Sequence, residues 1–538
     1  MAQSISNRAE ESRTGGFALL RGLGWFCVLL GLGCAAPTLS DQRSMATVTS
    51  RADALQQSGA PRRVLLITVA GLESADFLNA WGGIAGPEDA VRMPALAALA
   101  QEGAIGIDVR TPTPGASYSA HATIATGRGP NGHGVIADSL IDDSGTRAQP
   151  FWDNAMLRGG ALWDAAIGRG VISLGWPTTT GARIELVVPD LESGATGAGW
   201  MEAIRRFTTP SLMRELDQAA EAAVKNKQRA PGTWPSATEK DAAFVDLACS
   251  LLQSERDASL WLMRLSQTAT AQVQGGEGSL AESEALASVD AEIGRLMACL
   301  EGAGKLADTA IFVAGDVAYR AVHTRVDPNV ALVAEGLIGR DPRSSTGVRS
   351  WLAMTRSHGR SAYIYARDAS NAVAARNVLE AEAEKTGAFE VISAKALAEV
   401  GGDPQAWFGL TAKPGFKIGN RLAGPLVSPA SARASAGGFG LNEPSGSQSV
   451  GLLAWGRGIR GGVRIPSADL RDLAPTVASL LGLRLPGAAE GKPIIGLLRA
   501  AVPPPPPGPK RIGVDNDSGD VDRALRDLGG GRPLGDER

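Results

Sequence analysis

Histidine is scarce in this chain: four among 538 residues, namely His121, His133, His323 and His358. Any metal centre or acid–base site must draw its imidazoles from these four. Cysteine is equally sparse, at four with no Cys-x-x-Cys spacing, which argues against a thiolate zinc site or a redox motif. There is no excess of charge of one sign. The sum of 53 basic and 56 acidic residues is −3, so the basic footprint of a general nucleic-acid binder is missing. Aromatic residues are only 5%, while glycine reaches 67, a bias toward Ala, Gly and Arg. The apolar run Gly22 to Gly33 falls short of the roughly 20 residues that span a bilayer as a helix. What is present in quantity is apolar residue, 44% against 20% charged, enough for a sizeable core and too much for wholesale disorder.

The two ends differ from the rest. Residues 1–21 carry Arg8, Arg13 and Arg21, the apolar run follows, and Cys34 closes it. This is the shape of a secretory signal. The small residues just before Cys34 resemble a bacterial lipoprotein signal, in which the thiol takes a diacylglyceryl group. The expectation is a signal peptide over 1–33, lipidation at Cys34 and a polar tether over 34–61. The mature chain is then an extracytoplasmic, membrane-anchored lipoprotein of a bacterial periplasm or cell surface. Ordinary cleavage near Ala35 and Ala36 is the competing reading. Pro503 to Pro507 opens a Pro/Gly-rich tail, 501–538, too poor in apolar residues to fold.

Between these ends, strands and helices alternate. Arg62 to Gly71 (RRVLLITVAG) is a continuous apolar run of the kind a buried parallel strand needs. Ile105–Val109, Gly170–Gly175, Ala258–Leu265, Thr309–Ala314 and Ser449–Trp455 read as further strands. Met93–Glu102, Ser117–Thr126, Glu282–Leu300 and Asp472–Leu481 read as helices, and Ser236-Ala-Thr-Glu239 is a capping box opening another. Residues 335–430 have their own pattern, with strands at Ala362–Ala366 and Glu390–Ile392 flanking a helix from a Ser370 cap to Lys385. The fold class expected is α/β. A mostly parallel central sheet with helices on both faces is built from 62–334 and 431–500, with 335–430 as an inserted smaller α/β subdomain. Whether Cys249 and Cys299 pair is left open by spacing alone.

Several segments, in this order, resemble the type I phosphodiesterase/nucleotide pyrophosphatase branch of the alkaline-phosphatase superfamily. They are VLLITVAGLESADF, MPALAALAQEGA, TPTPGASYSAHATIATGRGPNGHGV, GWPTTTGA, SVDAEIGRLMACLEGAGKLADTAIFVAGD, DPNVALVAEGLI, GRGIRGG and DLAPTVASLLGL. The resemblance implies an alkaline-phosphatase-like sheet and phosphoester hydrolysis by two metal ions, usually zinc. In that chemistry a Ser or Thr hydroxyl bound to metal attacks phosphorus, and the metals hold the attacking and leaving oxygens. About six Asp and His ligands are needed.

Carried onto this chain position by position, the resemblance leaves few of those ligands. The nucleophile position holds Ser117 and one carboxylate position holds Asp316. The other positions hold Ala70, Thr268, Gln272, Val317 and Phe439, none of which can serve as the family's ligand, and Ala120 stands in the phosphate-binding asparagine position. Three histidine ligands are lost, and such a donor set binds zinc far too weakly. The expectation is an inactive relative with its pocket filled or dried out, acting as an extracytoplasmic binding or scaffold protein without a cofactor.

Ser117 at a helix start would still favour a phosphorylated or anionic ligand. The alternative is a phosphoester hydrolase with Ser117 as nucleophile and a rebuilt zinc centre. A metal-free serine esterase using Ser117 and His121 ranks last, because it lacks a Gly-x-Ser-x-Gly elbow and an orienting acid. Against these stand plainer roles: Ser117 as a helix cap, His121, His133 and His358 as packed structural residues, and Glu73 and Asp76 as non-ligands.

Overall fold

Every side chain of Arg63–Val69 is buried, which is why this stretch lacks the alternation of a half-exposed strand. Leu65, Ile67 and Val69 enter one apolar cluster and Val64 and Leu66 enter another, so successive residues serve opposite faces of a sheet covered on both sides. The computed structural model describes residues 59–76, 93–113, 115–141, 148–150, 153–191, 200–218, 236–254, 257–341, 343, 347–437 and 449–499. The signal, most of the tether, the Pro/Gly tail, Cys34 and Phe439 lie outside them.

Eight strands form the central sheet: β1 (Arg63–Val69), β2 (Ala104–Arg110), β3 (Val171–Leu174), β4 (Leu186–Val188), β5 (Leu260–Leu265), β6 (Thr309–Gly315), β7 (Leu452–Gly456) and β8 (Val463–Asp469). Their order is β8-β2-β7-β6-β1-β5-β3-β4. Strand β7 runs antiparallel to β2 and β6, and the remaining pairs are parallel.

One face of the sheet is covered by α1 (Pro94–Glu102), α3 (Ala237–Gln253) and α5 (Leu280–Gly302). The other is covered by α2 (Ser117–Thr126) and α7 (Leu473–Leu481). Helix α4 (Gln267–Gly275) follows β5 directly. The Ser236–Glu239 box caps α3 in both directions, as its spacing predicts. Near their far ends α3 and α5 are joined by a Cys249–Cys299 disulfide, with Cα atoms 5.3 Å apart.

Residues 353–412 build a separate antiparallel sheet of four strands, ordered Ala353–His358, Ser361–Ala366, Phe408–Ala412, Phe389–Ile392. Helix α6 (Ala369–Thr386) packs on it through Ala375 and Leu379, within an apolar cluster distinct from the two of the central sheet. Its cap is Asp368, whose side chain accepts from Asn371 N–H. Ser370, the expected cap, instead donates to the Asp368 carboxylate at 2.8 Å, two residues past the observed cap. An aspartate at this position also favours the positive helix end, so it displaces serine as the cap.

Candidate functional site

The carboxyl ends of β1, β5 and β6 lie side by side, because the three strands are parallel and in register. In sheets of this kind ligands bind outside those ends. The chain leaves β1 through Ala70-Gly71, β5 through Ser266, and β6 through Asp316-Val317. Helix α2 brings Ser117 to the same edge.

Ser117 is the first residue of α2, and the cap position is Ala116, which offers no side-chain bond. The hydroxyl is therefore not a cap. It donates to Asp316 Oδ2 at 2.6 Å. Asp316 Oδ1 accepts from Gly71 N–H at 3.1 Å and Val317 N–H at 2.7 Å. Its backbone carbonyl accepts the Thr111 hydroxyl at 2.5 Å. A carboxylate with two backbone donors and a hydroxyl is satisfied while charged.

A cation stands on the other side of the serine. Arg264, near the end of β5, donates from Nη2 to Ser117 Oγ at 3.1 Å and from Nη1 to Asp190 Oδ2 at 2.5 Å. The Lys240 ammonium reaches Asp190 Oδ1 at 3.3 Å. Burial pushes the Asp190 carboxyl up, but Arg264 and Lys240 outweigh it and hold it below the usual carboxylate range. Burial likewise opposes the charge of Arg264, and Asp190 and Asp316 outweigh it, so the guanidinium is held firmly charged.

Ala70, Gly71, Thr268, Gln272 and Val317, beside this cluster, are closely packed. Ala70 and Val317 are 1% and 2% exposed. Gly71 has φ +85°, and a Cβ there would stand 2.0 Å from Gln272 Oε1. That close approach fits the Gln272 amide onto the turn, where Nε2 donates to the Gly71 carbonyl at 3.0 Å and to Glu282 Oε1 at 2.6 Å. Thr268 on α4 is fully buried and its hydroxyl has no partner among the described residues. Asp241 accepts the Ser266 and Gln267 N–H groups at 2.8 and 2.9 Å, which closes the start of α4.

The histidines are structural. His121 Nδ1 lies 2.7 Å from the Ser117 carbonyl, so it carries the proton, and Nε2 then accepts the Thr68 hydroxyl at 2.7 Å. Both nitrogens are used and neither reaches the Ser117 hydroxyl. Burial holds this imidazole at about 4, against the pull of Asp316 at 3.9 Å. Its ring meets Trp176 edge-on at 4.8 Å. His133 Nδ1 accepts Val135 N–H at 3.1 Å, so its Nε2–H donates to Thr123 Oγ1 at 2.9 Å. His358 packs against Tyr363 in the small sheet, and His323 touches Thr324 on the surface. Glu73 pairs with Arg320 at 2.5 Å, and its N–H donates to Asp76 at 2.8 Å, so neither turns to Ser117.

Three members of the cluster escaped the sequence reading, Arg264, Asp190 and Lys240. The signal for Arg264 was available: it is the one charge in the apolar strand LWLMRL. Among the described residues no three His, Cys, Asp or Glu side chains gather so as to hold a metal ion. The donors that do meet at Ser117 do not fit a zinc pair, because they comprise a hydroxyl, two carboxylates already hydrogen-bonded, and a fixed cation.

The family model described as type I phosphodiesterase / nucleotide pyrophosphatase matches residues 64–405, more than half of the chain. No curated protein matches it. Sheet, nucleophile position and family match agree, and the chain belongs to the type I phosphodiesterase/nucleotide pyrophosphatase family of the alkaline phosphatase superfamily, with most of the metal ligands replaced.

Proposed function

We propose that this protein is a catalytically silent member of its family, tethered outside the cytoplasm as a binding or scaffold protein. One observation carries the reading. The one family carboxylate retained, Asp316, is already engaged by the Ser117 hydroxyl and two backbone N–H groups. The positions around it offer Ala70, Thr268, Gln272 and Val317 in place of ligands. A serine hydroxyl is mostly protonated at neutral pH and needs a metal or a base to attack. His121 is engaged elsewhere, and a hydrogen-bonded carboxylate is a weak base for an alcohol.

The extracytoplasmic assignment is supported by the lipoprotein-like segment ending at Cys34 and by the Cys249–Cys299 disulfide, a bond typical of oxidising compartments. Among the described residues no helix is long and apolar enough to cross a membrane; the tether in this reading is a lipid on Cys34. Ser117 and Arg264 together suit an anionic or phosphorylated ligand held without turnover.

The test is elemental analysis of the purified full chain together with cleavage of bis-nitrophenyl phosphate. The expected result is substoichiometric metal and no cleavage above that of Ser117→Ala. Near-stoichiometric zinc with cleavage abolished by Ser117→Ala would overturn the reading and install the hydrolase alternative.

A further inference from the structure

We propose that the Arg264 guanidinium is the resident cation of this site, covalently built in where its relatives use metal. The inference rests on the inactive reading above and gives it a physical cause. Asp190 and Asp316 have side chains only 2% and 1% exposed, and two buried carboxylates require positive charge nearby. The candidates are few. His121 has both ring nitrogens committed, Nδ1 to the Ser117 carbonyl and Nε2 to the Thr68 hydroxyl. Lys240 reaches Asp190 alone.

Arg264 serves both carboxylates. One arm of its fork binds Asp190, and the other binds the oxygen of Ser117, whose proton goes to Asp316. A planar guanidinium makes these two bonds from two nitrogens held in a fixed fork, whereas an ammonium offers all its donors from a single point.

Two consequences follow. The serine oxygen that would be a metal ligand in the family accepts a hydrogen bond from a fixed positive group, so a divalent ion approaching it meets repulsion rather than an open site. The same group leaves the serine as a hydroxyl, since its O–H points at Asp316 and a hydrogen-bonded guanidinium removes no proton.

The experiment is thermal unfolding of the full chain and of Arg264→Gly, each alone, with chelator, with zinc and with methylguanidinium. Wild type should be indifferent to chelator and zinc. Arg264→Gly should unfold about 5 °C lower. Low-millimolar methylguanidinium should return at least half of that loss, while methylammonium and urea return none. Arg264→Lys should fall between, since one ammonium replaces the fork. If Arg264→Gly yields no folded protein, recovery of soluble protein on refolding in methylguanidinium is read in its place, and no recovery counts against the proposal.

An unchanged midpoint in Arg264→Gly overturns the proposal, as does a loss that zinc restores and methylguanidinium does not. An inactive, metal-free wild type combined with an unchanged Arg264→Gly would sink this inference alone and leave the inactive reading standing.

Discussion

The two sides of the candidate site, one around Ser117 and one around Ala70, are built differently. Around Ser117 the polar groups remain and are cross-linked by charge, with Asp316, Arg264, Asp190 and Lys240 joined in one chain of hydrogen bonds. Around Ala70 the polar character has been withdrawn. An alanine ends the strand, a threonine hydroxyl is buried without a partner, and the Gln272 amide lies on the Gly71 backbone. The difference follows from what each side contains. A buried carboxylate needs donors or positive charge nearby, and Asp316 has the Ser117 hydroxyl and two backbone N–H groups. Around Ala70 the side chains of Thr268, Gln272 and Val317 carry no charge to compensate, and close packing suffices.

The sharpest way to break this comparison is to remove Asp316. Asp316→Ala leaves Arg264 with Asp190 as its one carboxylate and frees two backbone N–H groups, and urea unfolding should register a loss of about 3–5 kcal/mol. Asp316→Asn, which keeps an acceptor, should lose less; equal losses would mean that charge is irrelevant at this end.

The histidines sharpen it next. His133 is held at about 3 by burial, with Arg128 and Arg158 adding to the effect. A lowered imidazole contributes stability that is complete above its unfolded value of about 6.5 and is lost as pH falls from there toward 3. Its share of the acid slope is at most ~1.4 kcal/mol per pH unit. His133→Gln should flatten the stability–pH curve below 6.5, and an unchanged slope would show that His133 does not titrate with unfolding.

At the packed end the effects are smaller. Gly71→Ala puts a methyl against Gln272 and a side chain at φ +85°. About 2 kcal/mol should be lost, and Gln272→Ala in the same chain should return part of it, leaving the backbone strain. Thr268→Val removes an unpartnered hydroxyl at constant shape and should be neutral or stabilising by up to ~1 kcal/mol in the same unfolding assay. A loss above that would reveal a partner for Thr268.

Much of the frame was readable before the fold was known. The RVLLITV run, the Ser236–Glu239 box and the start of α2 at Ser117 are local signals, because strand burial, capping and helix initiation depend on neighbours in the chain. The cap of α6 was misjudged by two residues because Asp368 and Ser370 both satisfy the local rule, and only their geometry on the helix selects the aspartate. The Cys249–Cys299 pairing, 50 residues apart, became visible only when α3 and α5 packed.

The sequence alone set the expectation that the four histidines, none beyond His358, do not fall on the family's ligand positions, since donor atoms are a property of residue type and not of folding. The hydrogen-bonded network around Ser117 could not be read that way. Ser117, Asp190, Arg264 and Asp316 are far apart along the chain and meet because parallel strands end at one edge of a single sheet. Charge compensation acts through space, over a few ångströms, and so it was settled by the packing of those strand ends.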